Sequence, residues 1–441
     1  MSTYDDSHLP PRDALVAATS KPMPAAWTWG SLALLAIGVV TFAIGAFSGD
    51  DRVWQALLVN WLFFAAMSQG GVTIVAVQRI TTARWSRPIV RMLEGFAAFL
   101  PASFLLLIVI FLGRAHIFPW ARGPIHTAEK AFWMRPSFLI TRDLVLFALM
   151  AVMSVRYVWL SVRLDVGVLP EAGAWWGKWA RERMRKGYRD ERRELHSTHS
   201  TQGWLAVLIA MGYAYCYSVF AWDLSMSLDV HYQSTLYSWW FFMGAWLAAL
   251  MAWSLLVMWW RRHLAAEDLL TEHHFHDLGK LAFAFTAFWG YLTFGQYLVH
   301  WYGNMAEETH WPRLRLIAPW EWMTVSVVFL VFVLPFFGLL SRAAKVWLPA
   351  FITFASGSLV GIWMLRYLEV YPSLHGVPAS IPFGVPEIGV TLGVLGLWLF
   401  TYSRFMGAFP RMRIVLMTSP YRDEVQVPVN PDTMEPLPAH E

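Results

Sequence analysis

Between His273 and Glu308 the chain sets titratable and amide side chains into and around an apolar run. The stretch opens HHFHDLGK, continues LAFAFTAFWGYLTFGQYLVHWYGN and closes on Glu307 and Glu308. Thr286, Thr293, Gln296 and His300 follow one another at steps of seven, three and four, so they share one helical face. A polar stripe on an otherwise apolar helix must be hidden from lipid. It serves helix–helix hydrogen bonding, or it forms a route for protons or a quinone-facing wall.

Two further groups could carry proton chemistry. The first is His116, Asp143 and Asp223, expected near one membrane face. A hydroquinone loses two protons with its two electrons, and a partly desolvated carboxylate or an imidazole within reach takes the first. The plainer role for such carboxylates is pairing with arginine, with Arg142 and Arg114 as available partners. The second group is Glu94, Arg156, Asp277 and Lys280, expected near the opposite face, as interhelical ion pairs or a proton relay. Glu321, at the start of an apolar run, joins the proton-path candidates. The HHFH cluster offers metal-ligand types, but a hydrated helix end explains it equally. The histidines lie in loops or at span ends, which argues against a transmembrane b-type haem. A single cysteine, Cys216, excludes intrachain disulfides, CxxCH haem attachment and cysteine-held iron–sulfur clusters. Nothing in the chain itself is therefore expected to hold an electron.

These side chains need a membrane scaffold to position them. Of 441 residues 57% are hydrophobic and only 15% charged, with 27 Trp. A soluble domain carries roughly 25% charged residues. Apolar runs predict ten spans: 26–47, 53–77, 89–113, 138–162, 203–222, 234–260, 281–302, 320–340, 346–368 and 385–402. A long charged loop is expected from Arg163 to about Thr201. Residues 1–25 read as a polar N-terminal segment without a cleavable signal. Residues 26–407 read as the membrane domain, and 408–441 as a polar, proline-rich tail ordered where a partner holds it. Lys and Arg concentrate in the N-terminal segment, the tail and alternate loops. That predicts a multi-pass protein of a cell membrane with both termini cytoplasmic. Nucleic acid is an unsuitable partner, because the basic residues sit between spans.

Several stretches resemble a known family: FHDLGKLAFAFTAFWGYLTFGQYLVHWYGNMAEET, WEWMTVSVVFLVFVLPFFGLLSRAAK, GIWMLRYLEVYPSLH and, upstream, SVFAWDLSMSLDVHYQSTLYSWWFFMGAW. Over spans two to ten the chain resembles the ActF subunits of bacterial alternative complex III, which are similar to NrfD and polysulfide-reductase membrane subunits. The resemblance implies an all-α integral membrane protein. Two four-helix bundles, spans 2–5 and 6–9, would be flanked by spans 1 and 10. It implies a bacterial inner-membrane complex with an ActC-like membrane paralogue, a periplasmic iron–sulfur subunit and c-type haem subunits. That complex oxidises menaquinol or a similar quinol and passes electrons to cytochrome c or a terminal oxidase. Iron–sulfur clusters and haem c would then reside in partners. The resemblance also assigns His116, Asp143 and Asp223 to a quinol pocket, although His116 follows LGRA and Asp143 sits in ITRD, in place of the ActC-type HLGRPW and LLWD. Two other classes remain open at this point: a secondary transporter, and a structural anchor for peripheral redox proteins.

Overall fold

A computed structural model describes residues 11–123, 128–169 and 171–425, which form helices and no strand. Parts of the expected N-terminal segment (1–10) and tail (426–441) lie outside the described residues. The long helices are numbered here α1 to α10 in chain order, and short ones are named by range. They are α1 Ala25–Ser48, α2 Asp51–Ile80, α3 Val90–Leu112, α4 Pro136–Val168, α5 Glu191–Leu228, α6 Leu236–Leu264, α7 Glu272–Gly303, α8 Glu321–Gly338, α9 Leu348–His375 and α10 Val385–Ala408. Among the described residues nine of these are long and apolar enough to cross a membrane; the ten expected from the sequence include α7, which is not one of the nine. The helix is there, 32 residues long. Its Gly, Thr, Gln, His, Tyr and Trp residues hold its hydropathy down, the same composition that makes its polar stripe.

Burial is uneven. α2 and α6 are buried almost along their whole apolar length, whereas α1 is largely exposed. That matches α2 and α6 being apolar on every face, the composition of a helix enclosed by others. α2 packs against α3, α5, α6, α9 and α10, and α6 against α2, α5, α7 and α9.

Three long helices are interrupted. α3 passes through a 3-10 segment at Gly95–Phe99 just before Pro101, whose missing N–H and ring disfavour a regular turn there. α8 carries a π segment at Phe329–Val333 before Pro335. α5 passes through a π segment, Ala221–Ser225, that contains Asp223, before its last turn Met226–Leu228.

Two expectations are corrected. The charged loop is shorter than 163–201: α4 runs on to Val168 and α5 begins at Glu191. The Asp190 side chain caps α5 by accepting from the Arg193 N–H, and Arg163 pairs with Glu194 at 3.0 Å, so charged residues extend both helices beyond the apolar span. The start of the expected tail is placed against this chain itself. Met412, Ile414, Val415 and Met417 are buried against this chain's own helices.

α1 and α10 form the closest helix pair. A Cβ on Gly393 would come within 2.5 Å of the Gly38 Cα, and one on Gly38 within 2.1 Å of the Gly393 Cα. Small residues facing each other let two apolar helices exchange backbone contacts in lipid. Gly393→Val should therefore lower the thermal unfolding temperature in detergent, at a cost of about 1–3 kcal/mol. Gly30→Ala, with nothing within 4 Å of its Cβ position, should leave it unchanged.

Candidate functional site

Thr293, Gln296 and His300 of the α7 stripe face a cavity lined by α6, α7, the helix Ala306–Arg315, α8 and α9. The cavity measures about 420 Å³. Its walls are mostly apolar and aromatic, including Trp240, Trp289, Phe332, Leu365 and Leu368. Phe294, Tyr297 and Val328 line its outer part and are exposed on the flank of the helix assembly, so it opens sideways. Thr293, Gln296, His300, Arg315 and Glu369 supply polar groups. Size, aromatic lining and a few polar groups are the usual composition of a small-ligand site.

Three buried nitrogens on residues of this wall have no hydrogen-bond partner among the described residues: Trp289 Nε1, Trp311 Nε1 and His300 Nδ1. Unpaired buried polar atoms are rare and each calls for an explanation. Thr293 differs: its hydroxyl donates to the Trp289 carbonyl and accepts from Trp240 Nε1 at 2.9 Å. Thr286, two turns earlier and fully buried, also has an unpartnered hydroxyl.

His300 is 5% exposed. Gln296 Nε2 lies 2.7 Å from its Nε2, and the Tyr232 hydroxyl lies 3.1 Å from the same atom. With the amide donating, Nε2 accepts and the ring proton sits on Nδ1. Turning the amide over exchanges these roles and leaves Nδ1 as the acceptor. In both arrangements Nδ1 is the ring atom without a partner.

The nearest carboxylate to Nδ1 is Glu308 Oε2, at 3.9 Å. Glu308 lines a second, more polar cavity of about 620 Å³, with Lys130, Asp223, Asp229, His231 and Tyr232. His300 thus stands between an apolar cavity and a polar one. The fold brings two residue groups that lie far apart in sequence near each other: Glu308, 3.9 Å from His300, lines the same polar cavity as Asp223.

Asp223 and Asp143 are both buried beside Arg142. Arg142 binds Asp223 directly, its guanidinium lies 3.8 Å over the Trp133 ring, and Trp133 Nε1 donates to Asp223 Oδ1 at 2.8 Å. Arg142 Nε is 3.9 Å from Asp143 Oδ1, and neither Asp143 oxygen has a hydrogen-bond partner among the described residues. Two buried carboxylates beside one guanidinium are electrically balanced when they share one proton. His116 is not part of this group. It holds Asp51 at 2.6 Å, stacks on Trp54, and is 44% exposed.

Glu369 is held by Arg366, with both oxygens on Nη1 at 2.6 and 2.8 Å. Its Oε2 also accepts from Ser225, whose hydroxyl meets Tyr237 at 2.6 Å. Arg315 supports this wall for a reason visible in the backbone. Pro372 has no N–H for the Leu368 carbonyl, and Arg315 Nε donates to that carbonyl at 2.7 Å. Burial pulls the Arg315 guanidinium down to about 10, so it remains charged at neutral pH.

At the opposite end of the helices, Glu94 is fully buried and bonded to Arg91 and Arg413; Arg91 also bonds Asp165. Burial pulls on the Arg413 guanidinium, yet Glu94 beside it leaves it above the ordinary arginine value. The other three candidates expected here do not join. Asp277 and Lys280 pair with each other at 2.6 Å at an exposed helix end. Arg156 points outward from α4. Glu321 is half-buried in the first turn of α8 and lines neither cavity.

Sequence reasoning missed Tyr232, Trp240, Trp289, Trp311, Arg315 and Asp165 as site residues. Arg366 and Glu369, three apart in an apolar run, carry a signal that could have singled them out. Among the described residues no group of three or more His, Cys, Asp and Glu is placed to hold a metal. The chain matches no family model and no curated protein.

Proposed function

We propose that the chain is a membrane subunit of a quinol-oxidising electron-transfer assembly, of the alternative complex III ActF type. The observation that carries this reading is the sideways-opening cavity whose lining residues hold three unpaired buried nitrogens. A quinol or quinone is amphipathic: its tail stays with lipid, and its ring oxygens need polar partners in an otherwise apolar site. Trp289, Trp311 and His300 offer donors to those oxygens. With its amide partner turned over, His300 Nδ1 accepts the proton of a quinol hydroxyl. Glu308 and the polar cavity beyond it then give that proton an exit. The electrons go to iron–sulfur and c-type haem centres of partner subunits, with an ActC-like paralogue beside this chain.

In this reading α7 crosses the membrane as a tenth span, α2–α5 and α6–α9 are two four-helix bundles, and α1 and α10 flank them. Basic-residue bias sets both termini in the cytoplasm, with the Asp223 end of the helices outside. The Glu94 network and the Asp143–Asp223 pair then lie towards opposite faces, the layout two proton half-paths require. A transporter built from repeats has its helix breaks at matched positions of the two halves. The breaks here fall in α3, α5 and α8, which are unmatched, and this favours the oxidoreductase reading. A plain anchor has no use for the cavity.

The test uses the purified chain in detergent and a short-tailed menaquinone analogue. Quinones quench tryptophan fluorescence, and Trp240, Trp289 and Trp311 line the cavity. Saturable quenching is expected, and Val328→Trp at the mouth should weaken it at least about ten-fold by blocking entry. Linear, non-saturating quenching by a protein that retains its thermal transition would overturn the reading.

A further inference from the structure

A second cavity lies on the flank of α3 and α4, away from the site above. It is an open groove of about 520 Å³. Phe104 forms one wall, Ala148 and Ala151 make a low floor, and Val152 and Trp159 border the rest. Pro101, next to the 3-10 segment of α3, lies at its edge. The lining residues of α4 recur at three- and four-residue steps, so the groove follows one face of that helix. From Ala148 to Trp159 it runs roughly 16 Å, at 1.5 Å per residue. That is the scale of an extended acyl chain.

Arg156 lines one end of this groove. It is exposed, and among the described residues it has no hydrogen bond, ion pair or ring contact. It lies six residues before the end of the apolar run of α4, roughly 9 Å inside that boundary. A lone guanidinium at this depth on a lipid-facing surface is costly unless it reaches an anion. Its own length lets it extend towards the headgroup layer while its stem stays in the apolar groove. A positive charge at one end and an apolar channel leading from it match one kind of molecule in both charge and shape.

We propose that this groove binds an anionic phospholipid, with its phosphate on Arg156 and one acyl chain lying along α4 between Ala148 and Trp159. Arg156 is then a lipid-positioning residue and belongs to no proton path. The guanidinium donates paired hydrogen bonds to phosphate oxygens, a geometry lysine cannot reproduce. The proposal holds whether or not the protein oxidises quinol, because the groove shares no residue with the α6–α9 cavity.

Native mass spectrometry of the full chain, released from detergent with added phosphatidylglycerol or phosphatidylethanolamine, tests this. Wild type should retain phosphatidylglycerol in preference to phosphatidylethanolamine. Arg156→Gln should weaken retention of phosphatidylglycerol about ten-fold or more, the effect of losing a charged hydrogen bond. Val152→Trp, which fills the groove and leaves the charge, should weaken retention of both lipids. Equal retention of both lipids by wild type, or unchanged retention in both variants, overturns the proposal. So does a photo-crosslinker at Val155 that captures a polypeptide, in place of lipid, in the native membrane.

Discussion

Arg413→Met is expected to lower the free energy of unfolding in detergent by about 3–5 kcal/mol, the cost of leaving a buried charge without its partner. Arg91 and Arg413 balance Glu94 and Asp165, two charges of each sign, in a site where Arg91 and Glu94 are fully buried. Methionine keeps most of the apolar stem and removes one positive charge, so one carboxylate loses its counter-charge. The double variant Arg413→Met, Glu94→Gln restores balance and should recover most of the loss. Thermal or denaturant unfolding followed by circular dichroism reads both. If the single variant unfolds like wild type, Arg413 contributes no net stability and the tail is held only by its apolar residues. The same comparison separates a structural Glu94 from a conducting one. A double variant that is stable but impaired in proton release leaves the second role standing.

On the proposed quinol-oxidising reading, His300→Leu should reduce quinol-dependent turnover of the intact assembly about a hundred-fold, the lower range for loss of a general base. The fall should appear mainly in kcat, because leucine keeps the cavity apolar and the tail contacts are unchanged. Glu308→Gln should have a smaller effect, because Glu308 lies 3.9 Å from the ring and receives the proton only after His300 does. Asp143→Asn provides the contrast. Asp143 borders neither cavity, so a large effect there with none at His300 would move quinol chemistry to the Asp143–Asp223 pair. Each variant is compared at equal amounts of this chain in the membrane, read by immunoblot.

Much of the helix plan was legible in the sequence because apolar runs of span length leave few alternatives. Helix ends were less legible. α4 and α5 continue past their apolar runs on charged residues, and only the pairing of Arg163 with Glu194 and the Asp190 cap explain why. The α7 stripe was visible as a period, since steps of three, four and seven define one face of any helix. Its meaning was not, because a stripe does not say whether it faces a helix or a cavity.

Sequence alone determined the composition of the site: acids, amides and a histidine within apolar runs, and a single cysteine. Tertiary structure decided which of them meet. Asp143 and Asp223 share Arg142 because α4 and α5 pack side by side, and Arg142 meets Asp223 across 81 positions. His116 and Arg156 looked equivalent to their neighbours in the sequence but face elsewhere. Arg413 reaches Glu94 across 319 positions. Pairings of this range depend on packing between helices, and no local period or propensity encodes them. Local chemistry is written along the chain. The decision over which buried charge finds which partner belongs to the whole fold, because only the fold fixes where water is excluded.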